Sequence, residues 1–272
     1  MAKLLAALDD SAATRPVLEA ALGLGRLIGA DVEAIHVGEE DGVTATGLAE
    51  AAKVPMIRSA GPVVPTILLA LDAPDVVALA VGCRGLEMGR RPAGHVTLEV
   101  LAAATKPVMV VPPQAVRTWT HPLRRVLVPL DDTSESSEAL SAFLSDFVAD
   151  ADLEVTAVHV VDTETLPAFL DHPGRDIDAW QRSFQERNCP DAHHLEWRQG
   201  NAAEEIIDVC SSVEPDLIVA SFGGRLHADR GQVIRELLGR AASPMLVMPV
   251  RRTTGPDARD RVSATTSTRR RS

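Results

Sequence analysis

Two short glycine-bearing stretches of the chain carry residue types that suit a phosphate group. Residues 82–85 read Gly-Cys-Arg-Gly, and after eight further residues 94–97 read Gly-His-Val-Thr. Glycine allows the backbone to approach an anion closely, and the free N–H groups at the start of a helix can donate hydrogen bonds to it. Arg84, Arg90 and Arg91 add positive charge in the same segment. We therefore predict a phosphate cradle here, with a helix beginning near Val96.

Two pairs of adjacent carboxylates offer a second kind of chemistry. Asp9–Asp10 and Asp131–Asp132 each follow a short apolar run. Carboxylate and water oxygens are ligands that Mg²⁺ prefers, so either pair could hold this ion beside a phosphate. The alternative is structural: one member of each pair caps the turn that follows it. The sequence leaves both interpretations open.

The histidines favour structural roles. His36 and His159 occupy equivalent places in a repeated motif, and neither has Cys, Asp or His at a metal-ligand spacing. We expect each to pack beside the sheet of its own half. The adjacent pair at 193–194 lies in a polar segment and is interpreted as surface.

The number and spacing of the cysteines argue against disulfide bonds and against a structural zinc site. Cys83, Cys189 and Cys210 are far apart and form no CxxC motif, so neither a disulfide framework nor a zinc site is predicted. Small buried apolar packing is the expected role. Cys189, beside a proline in a polar stretch, is the one that we expect to be exposed.

No constellation typical of an enzyme is present in the sequence. A Ser/His/Asp arrangement, a P-loop lysine motif and a paired acid and base are all missing from it. This favours a binding protein. Related α/β folds host nucleotidyl transferases and pyrophosphatases, however, so the fold class alone does not exclude an enzyme.

The elements that must position these residues occur twice along the chain. Val-Glu-Ala-Ile-His-Val at 32–37 matches Val-Thr-Ala-Val-His-Val at 155–160, and Lys-Pro-Val-Met-Val-Val-Pro at 106–112 matches Ser-Pro-Met-Leu-Val-Met-Pro at 243–249. The offset is 122 to 123 for the early matches and 137 to 141 for the later ones. The second copy is therefore predicted to carry an insertion, at 162–178.

The pattern within each copy predicts an α/β fold. Short aliphatic runs, apolar on both faces, alternate with stretches of helical period, as in parallel sheets covered by helices on both sides. We predict two tandem doubly wound domains at 1–115 and 120–250, each a mainly parallel five-stranded sheet with helices on both faces. A proline-bearing joint at 112–122 connects them. Ligands of such sheets bind outside the carboxyl ends of the strands.

These motifs resemble the universal stress protein family, and specifically its tandem members with two domains in one chain. The resemblance covers nearly all of residues 1–250. It rests on the first-strand motif that ends in Asp-x-Ser/Thr, on the His-Val that closes the second strand, and on the glycine segment. It implies an adenine-nucleotide-binding fold and a non-catalytic stress-response protein.

The resemblance also implies a nucleotide site, for ATP with or without Mg²⁺. In the ATP-binding branch of the family the glycine segment reads G-x2-G-x9-G-S/T. Asp9, near Ala7 at the end of the first strand, would face the adenine, and Val37 would place backbone groups against adenine or ribose. Ribose and phosphates would be surrounded by Gly82, Gly85 and Gly94. His95, Val96 and Thr97, at the start of the next helix, complete the predicted site, where His95 either donates to the anion or only caps and packs. Here the spacing is one residue short, and His95 replaces the hydroxyl, for which Thr97 could substitute.

The second copy departs further from that pattern. Ser221 stands for the first glycine, Gln232 for the hydroxyl residue, and only six residues separate Gly224 from Gly231. A shortened segment cannot wrap a triphosphate in the same way, so we predict weak or no nucleotide binding in this half. For the whole chain, the alternative is a nucleotide-independent, stress-associated interaction protein.

The charge of the chain is divided unevenly. The formal net charge of the 272 residues is -11. Residues 1–118 hold 10 basic and 13 acidic residues, residues 119–250 hold 10 and 23, and residues 251–272 hold 7 and 2. The acidic balance argues against nucleic acid as a partner, and a polyanion should be repelled most by the second half. The basic tail, 251–272, is predicted to be disordered.

The remaining expectations concern location and partners. The aliphatic runs are too short to span a bilayer and the N-terminus does not read as a signal peptide, which predicts a cytoplasmic protein without membrane contact. The last strands of the copies, 108–111 and 245–248, would leave open sheet edges. The family resemblance implies that such strands pair with each other, here within one chain, and a further homodimer stays open.

Overall fold

The computed structural model describes residues 1–11, 14–39, 42–83, 94–113, 115, 123–131, 134–148, 153–161, 177–223 and 229–250. The predicted Arg84, Gly85, Arg90 and Arg91, most of the joint and the whole basic tail lie outside these residues. The same holds for residues 162–176 of the predicted insertion. The last two residues of that predicted insertion belong to a helix that begins at Ile177.

The first half alternates strands and helices as the periodicity predicts. Its elements are β1 (Lys3–Ala7), α1 (Thr14–Ile28), β2 (Asp31–Val37), α2 (Val43–Ala52), β3 (Met56–Ser59), α3 (Val63–Leu71), β4 (Val76–Gly82), α4 (His95–Ala103) and β5 (Val108–Val111). α1 begins at Thr14 with Pro16 in its first turn, where the missing N–H costs no helical hydrogen bond. Its apolar stripe, which includes Val17 and Leu24, is buried against the sheet.

The second half repeats this order. Its elements are β6 (Arg125–Leu130), α5 (Ser134–Val148), β7 (Glu154–Val161), α6 (Ile177–Asn188), β8 (His194–Gln199), α7 (Ala202–Val213), β9 (Leu217–Phe222), α8 (Asp229–Arg240) and β10 (Met245–Pro249). Neighbouring strands within each half are parallel. The prediction of two tandem doubly wound α/β halves, each with five strands, is confirmed.

The two five-stranded sheets join into one. The strand order is β3-β2-β1-β4-β5-β10-β9-β6-β7-β8, and the junction between β5 and β10 is antiparallel. Leu246 pairs with Met109, its equivalent in the repeat, and Met245 and Val247 pair with Val110 and Val108 on either side. The pairing is therefore arranged about a pseudo-twofold axis. The expected closure of the two strand edges within one chain is present.

The core is also shared between the halves. One buried cluster lies under α1, α2 and α5 and contains both Leu4 and Val128. The other lies under α3, α4, α7 and α8 and contains both Leu5 and Leu127. Because successive residues of a strand point to opposite faces, β1 and β6 contribute to both clusters. The apolar layers therefore continue across the β5–β10 junction.

The predicted exposure of Cys189 is wrong. This residue is 1% exposed and belongs to the core cluster under α1 and α5. Its N–H donates to the carbonyl of Gln185, and its own carbonyl accepts from Ala192. The turn after α6 therefore folds the thiol inward, although the residues around it in sequence are polar.

Candidate functional site

A cavity of about 270 Å³ lies at the carboxyl ends of β1, β2 and β4. The strand order places β2 on one side of β1 and β4 on the other, so the chain changes direction at β1. Ligands of open α/β sheets bind at such a switch point. Most of the lining is apolar, with a few polar groups, as is usual in small-molecule sites.

The cavity brings together the predicted site residues that the structure describes. They are Ala7, Asp9, Val37, Gly82, Gly94, His95, Val96 and Thr97. They come from four separate parts of the first half: the end of β1, the end of β2, the end of β4 and the first turn of α4. Gly85, the ninth predicted residue, is outside the described residues.

Asp9 organises the turn between β1 and α1. Its carboxylate accepts a hydrogen bond from the Thr14 hydroxyl at 3.0 Å and from the Ser11 N–H at 3.0 Å. The Thr14 hydroxyl also lies against the Asp9 carbonyl oxygen. The floor of the cavity at the end of β1 is thus fixed by local hydrogen bonds. Asp131 makes the corresponding bond with Ser136 in the second half, at 2.9 Å.

Asp10 caps a helix, though not the turn that follows it. Its carboxylate accepts from the N–H groups of Thr44 and Ala45 at 3.0 and 3.1 Å, at the start of α2. The N-cap residue of α2 is Gly42, which has no side chain to do this. A carboxylate at a helix N-terminus is also favoured by the helix dipole. Asp9 and Asp10 therefore face different partners, and no cluster of three or more metal-ligating side chains forms among the described residues.

The N-terminus of α4 opens into the cavity. Gly94 is its N-cap and makes no side-chain cap, and the first helical residues have no partner for their N–H groups within the helix. His95, Val96 and Thr97, the first three residues of this helix, line the cavity. The phosphate-cradle prediction requires a helix start at this place.

The hydroxyl of Thr97 serves a different purpose from the predicted one. It donates to the Gly82 carbonyl oxygen at 2.9 Å, and the residue is 3% exposed. Its proton is therefore directed at the end of β4, and the bond ties α4 to that strand. The expectation that this hydroxyl substitutes in contacting a phosphate is not supported by its orientation.

His95 points along its helix. Its Nε2 lies 2.9 Å from the Glu99 carboxylate, one turn later, and its side chain is 83% exposed. Gln232 makes the equivalent contact with Glu236 in the second half, at 3.1 Å. The His95 side chain therefore stands at the cavity rim, where it is accessible to solvent.

The two repeated histidines are structural, as predicted. The Nδ1–H of His36 donates to the Leu8 carbonyl at 3.0 Å, and that of His159 donates to the Leu130 carbonyl at 3.1 Å. Each bond joins the end of the second strand of a half to the end of the first. His36 thereby holds Leu8, which lines the cavity.

The equivalent place in the second half is built differently. Ser221 pairs with Met248 as Gly82 pairs with Val111, so the sheet register puts a serine where the cavity has a glycine. α8 begins at Asp229, which places Gly231 and Gln232 inside its first turn instead of at the cap. Ile234 replaces Thr97 and is buried. The helix N-terminus is therefore shifted relative to the strand ends.

Several cavity residues were not predicted from the sequence. They are Leu8, Ser11, Thr14, Val17, Ile35, Val63, Ile67 and Val81. Val63 and Ile67 come from α3, the helix that carries the chain from β3 across to β4. Its signal was present, since residues 63–71 hold no charge and place Val63, Ile67 and Leu71 four residues apart. A helix that crosses a switch point has to pass the ligand position.

Comparison with known proteins gives a family match in the second half. Residues 122–249 match the model of the universal stress protein family. A universal stress protein from Archaeoglobus fulgidus shares the fold, with a TM-score of 0.66, 19% identity and coverage of 91% of this chain and 98% of that one. A Pseudomonas aeruginosa protein of unknown function gives a TM-score of 0.68 at 16% identity, covering 91% of this chain and 92% of that one.

The predicted recognition of a universal stress protein is confirmed. The two solved structures cover both halves, so the tandem fold is shared over nearly the whole chain. Among curated proteins, none matches this chain significantly. In the described part of the chain, no helix has the length and apolar character needed to cross a membrane.

Proposed function

We propose that this chain, with its universal stress protein half at 122–249, binds one adenine nucleotide, ATP, in the first-half cavity. We further propose that it acts as a non-catalytic, cytoplasmic stress-response protein. The observation that carries the nucleotide proposal is the convergence of residues from β1, β2, β4 and α4 on one cavity. Eight residues assigned to the site from the sequence motifs and the family resemblance line it together.

The chemistry of the lining suits a base and phosphates at opposite ends. Apolar side chains of Val37, Ile35 and Ile67 can pack against a flat base, whereas the open N-terminus of α4 offers backbone donors for an anion. Gly82 lies between these regions and presents only hydrogen at its Cα, so a ribose can approach the strand end closely.

In this proposal Mg²⁺ binds together with the nucleotide and is coordinated by phosphate and water oxygens. The Asp10 carboxylate caps α2, and one oxygen of the Asp9 carboxylate accepts two hydrogen bonds from its own turn. Neither group is arranged as half of a dedicated metal site. Phosphate oxygens and water are sufficient ligands for this ion, which usually keeps several waters.

The second half is proposed to leave nucleotide unbound. Its helix N-terminus is displaced, and Ser221 adds a side chain at the strand end. Residues 119–250 also hold 23 acidic against 10 basic residues. Each feature disfavours a polyanion, so one nucleotide per chain is expected.

Calorimetric titration of the full chain with Mg-ATP tests the proposal. We expect a stoichiometry near one, and an increase in thermal stability that corresponds to about 2.7 kcal/mol at a ligand concentration of about 100 times Kd. Gly82→Ser introduces the residue that the second half carries at this place. We expect it to weaken binding by at least about tenfold, that is about 1.4 kcal/mol, because its side chain enters the space of the ribose.

Ser221→Ala is the matched control, since it changes the equivalent position in the other half. It should leave Kd and stoichiometry unchanged. Failure of wild-type chain to bind ATP at millimolar concentration would contradict the proposal and favour the nucleotide-independent interaction protein. Steady phosphate release in the same samples, lost in Asp9→Asn while binding is kept, would contradict the non-catalytic part.

A further inference from the structure

The end of β4 contacts both the cavity and the second half of the chain. Gly82 lines the cavity, and the next residue, Cys83, is 4% exposed and lies in the core cluster shared by the two halves. The thiol of Cys83 donates to the Leu238 carbonyl oxygen at 3.5 Å. Leu238 lies in the last turn of α8, where carbonyl oxygens have no partner within the helix.

The same thiol also faces the N-terminus of α4. The Gly94 N–H is directed at Cys83 and opposes the effect of burial, which raises the pKa of this thiol to about 11. Cys83 therefore lies between the N-cap of the cavity helix and the C-terminal turn of a helix from the other half. The Cys83 N–H donates a hydrogen bond to the Val111 carbonyl oxygen of β5, and the Gly82 carbonyl oxygen accepts one from the Thr97 hydroxyl.

We propose that Cys83 couples the first-half cavity to α8 of the second half, so that nucleotide binding and the contact between the halves stabilise each other. The inference rests on the proposed nucleotide site. A ligand held by the first turn of α4 and by Gly82 restrains the two residues that position the thiol. Conversely, the Leu238 carbonyl fixes the thiol, and through it the cap of α4. Cys83 is thus a positioning residue.

The contact has no equivalent on the other side of the pseudo-twofold axis. The sheet register places Phe222 where the first half has Cys83, and the repeat places Leu101 where the second half has Leu238. A phenyl ring cannot donate a hydrogen bond to a helix carbonyl. The hydrogen bond from Cys83 to Leu238 is therefore found only in the half that holds the cavity. This distinguishes it from the apolar packing that both halves share.

Thiol alkylation of the full wild-type chain tests the coupling. Cys189 provides an internal control, since it is 1% exposed and burial raises its pKa to about 11, as for Cys83. Both thiols therefore need an opening of the structure to react. The chain is treated with N-ethylmaleimide, and the modified fraction of each cysteine is followed by peptide mass spectrometry with and without Mg-ATP.

We expect saturating Mg-ATP to slow alkylation of Cys83 by at least about tenfold. The reason is that the nucleotide must dissociate from Gly82 and the first turn of α4 before the thiol is exposed. Cys189 should change by less than about twofold, because we expect it to react through a local opening of the turn after α6, which involves neither the cavity nor global unfolding. Equal slowing of both thiols would indicate global stabilisation alone and would overturn the inference. So would an unchanged Cys83 rate while calorimetry shows bound ATP.

A second measurement does not depend on nucleotide. Amide hydrogen exchange of residues 95–98 is compared in the ligand-free wild-type chain, Cys83→Ala, Cys83→Ser and Cys189→Ala. Loss of the thiol should speed exchange at the start of α4 by at least about fivefold, whereas the Ser hydroxyl should largely restore protection because it can still donate to Leu238. Cys189→Ala should have no effect there.

These outcomes separate the two proposals. Unchanged exchange in Cys83→Ala overturns the coupling whether or not ATP binds. Faster exchange in Cys83→Ala, together with failure of wild-type chain to bind ATP, retains the contact between the halves and contradicts only the nucleotide. Faster exchange in both Cys→Ala variants would show that any buried cavity loosens α4, and it would overturn the specific role of Cys83.

Discussion

Single residues at the strand ends connect the cavity to the rest of the first half. Leu8 is held by His36, Asp9 by Thr14, and Gly82 by Thr97. Each bond joins a cavity residue to a different element. The motifs and the family resemblance assigned Asp9 and Gly82 to the site but not Leu8, because a hydrogen bond across 28 residues, such as that from His36 to Leu8, leaves no local pattern to detect.

Gly42 shows how closely one residue can be constrained. It has φ of +56°, and a Cβ atom at this position would lie 2.7 Å from Cδ2 of the buried His36 ring. Gly42→Ala should therefore lower the free energy of unfolding by at least about 1 to 2 kcal/mol, the cost of a left-handed backbone for a residue with a side chain. Displacement of His36 would add to this cost.

Gly47→Ala, inside the helix that Gly42 precedes as the N-cap, is the control for that variant. Gly47 is exposed in α2, and a Cβ there meets no atom within 4 Å. Alanine should stabilise the exposed helix by about 0.5 to 1 kcal/mol. Urea unfolding of both variants measures the difference. Equal midpoints for the two variants would show that the contact between Gly42 and His36 is loose in solution.

At the scale of elements, the position of each helix start decides what a strand end can bind. α4 begins at His95 directly after its cap, while α8 begins two residues before the equivalent glycine. The sequence revealed the missing glycines of the second copy, but not this change of the helix boundary. Where a helix begins depends on the contacts that the preceding loop makes with the rest of the fold. The residue pattern of the loop alone did not indicate those contacts.

The sequence comparison also did not predict the register in which β4 pairs with β1. The Pro-Asp pairs at 74–75 and 215–216 match at an offset of 141. In the sheet, however, Leu4 pairs with Ala78 and its equivalent Val126 pairs with Leu217, because the β1–β4 register shifts between Lys3 and Leu4. The register shift accommodates one extra residue near the amino end of β4, between Val76 and Ala78. The sheet register nevertheless places Ser221 where the first half has Gly82, as the comparison of the two glycine segments predicted.

The bond between Thr97 and Gly82 is the element-level contact most open to a test. Thr97→Val keeps the shape of the side chain and removes the hydroxyl, which leaves the Gly82 carbonyl without this donor. We expect a loss of about 1 to 2 kcal/mol in the free energy of unfolding. We also expect weaker ATP binding, because α4 is no longer fixed to β4. Thr97→Ser, which keeps the donor, should retain most of the affinity.

Calorimetry and urea unfolding of both Thr97 variants provide the measurement. If the hydroxyl contacted a phosphate directly, Thr97→Val would weaken ATP far more than adenosine. If it acts by holding α4, the stability loss should appear in the ligand-free protein as well. A Thr97→Val chain of wild-type stability that fails to bind ATP would contradict the positioning role.

At the scale of the whole molecule, the sheet and both core clusters continue across the junction of the halves. β5 and β10 pair through buried residues, and each cluster draws residues from both halves. The repeat in the sequence predicted the two halves, and the open edges together with the family resemblance indicated that they would pair. What the sequence could not show is that one continuous layer of side chains covers each face.

This continuity predicts that the halves unfold together. All three Trp residues lie beyond residue 115, at 119, 180 and 197, so Trp fluorescence does not report directly on the first half. Leu24→Ala removes a fully buried side chain of α1 in that half and should cost about 2 to 5 kcal/mol. If unfolding is cooperative, the urea midpoints by Trp fluorescence and by far-UV circular dichroism should fall together.

Leu69→Ala makes the same substitution at a residue of the first half that is 76% exposed, and it should leave both midpoints nearly unchanged. A Leu24→Ala chain whose circular dichroism shows two steps while its fluorescence midpoint stays at the wild-type value would contradict cooperative unfolding. Coincident shifts, in contrast, would mean that ligand binding energy in the first-half cavity also stabilises the second half. One nucleotide would then be sufficient to stabilise both halves of the chain against unfolding.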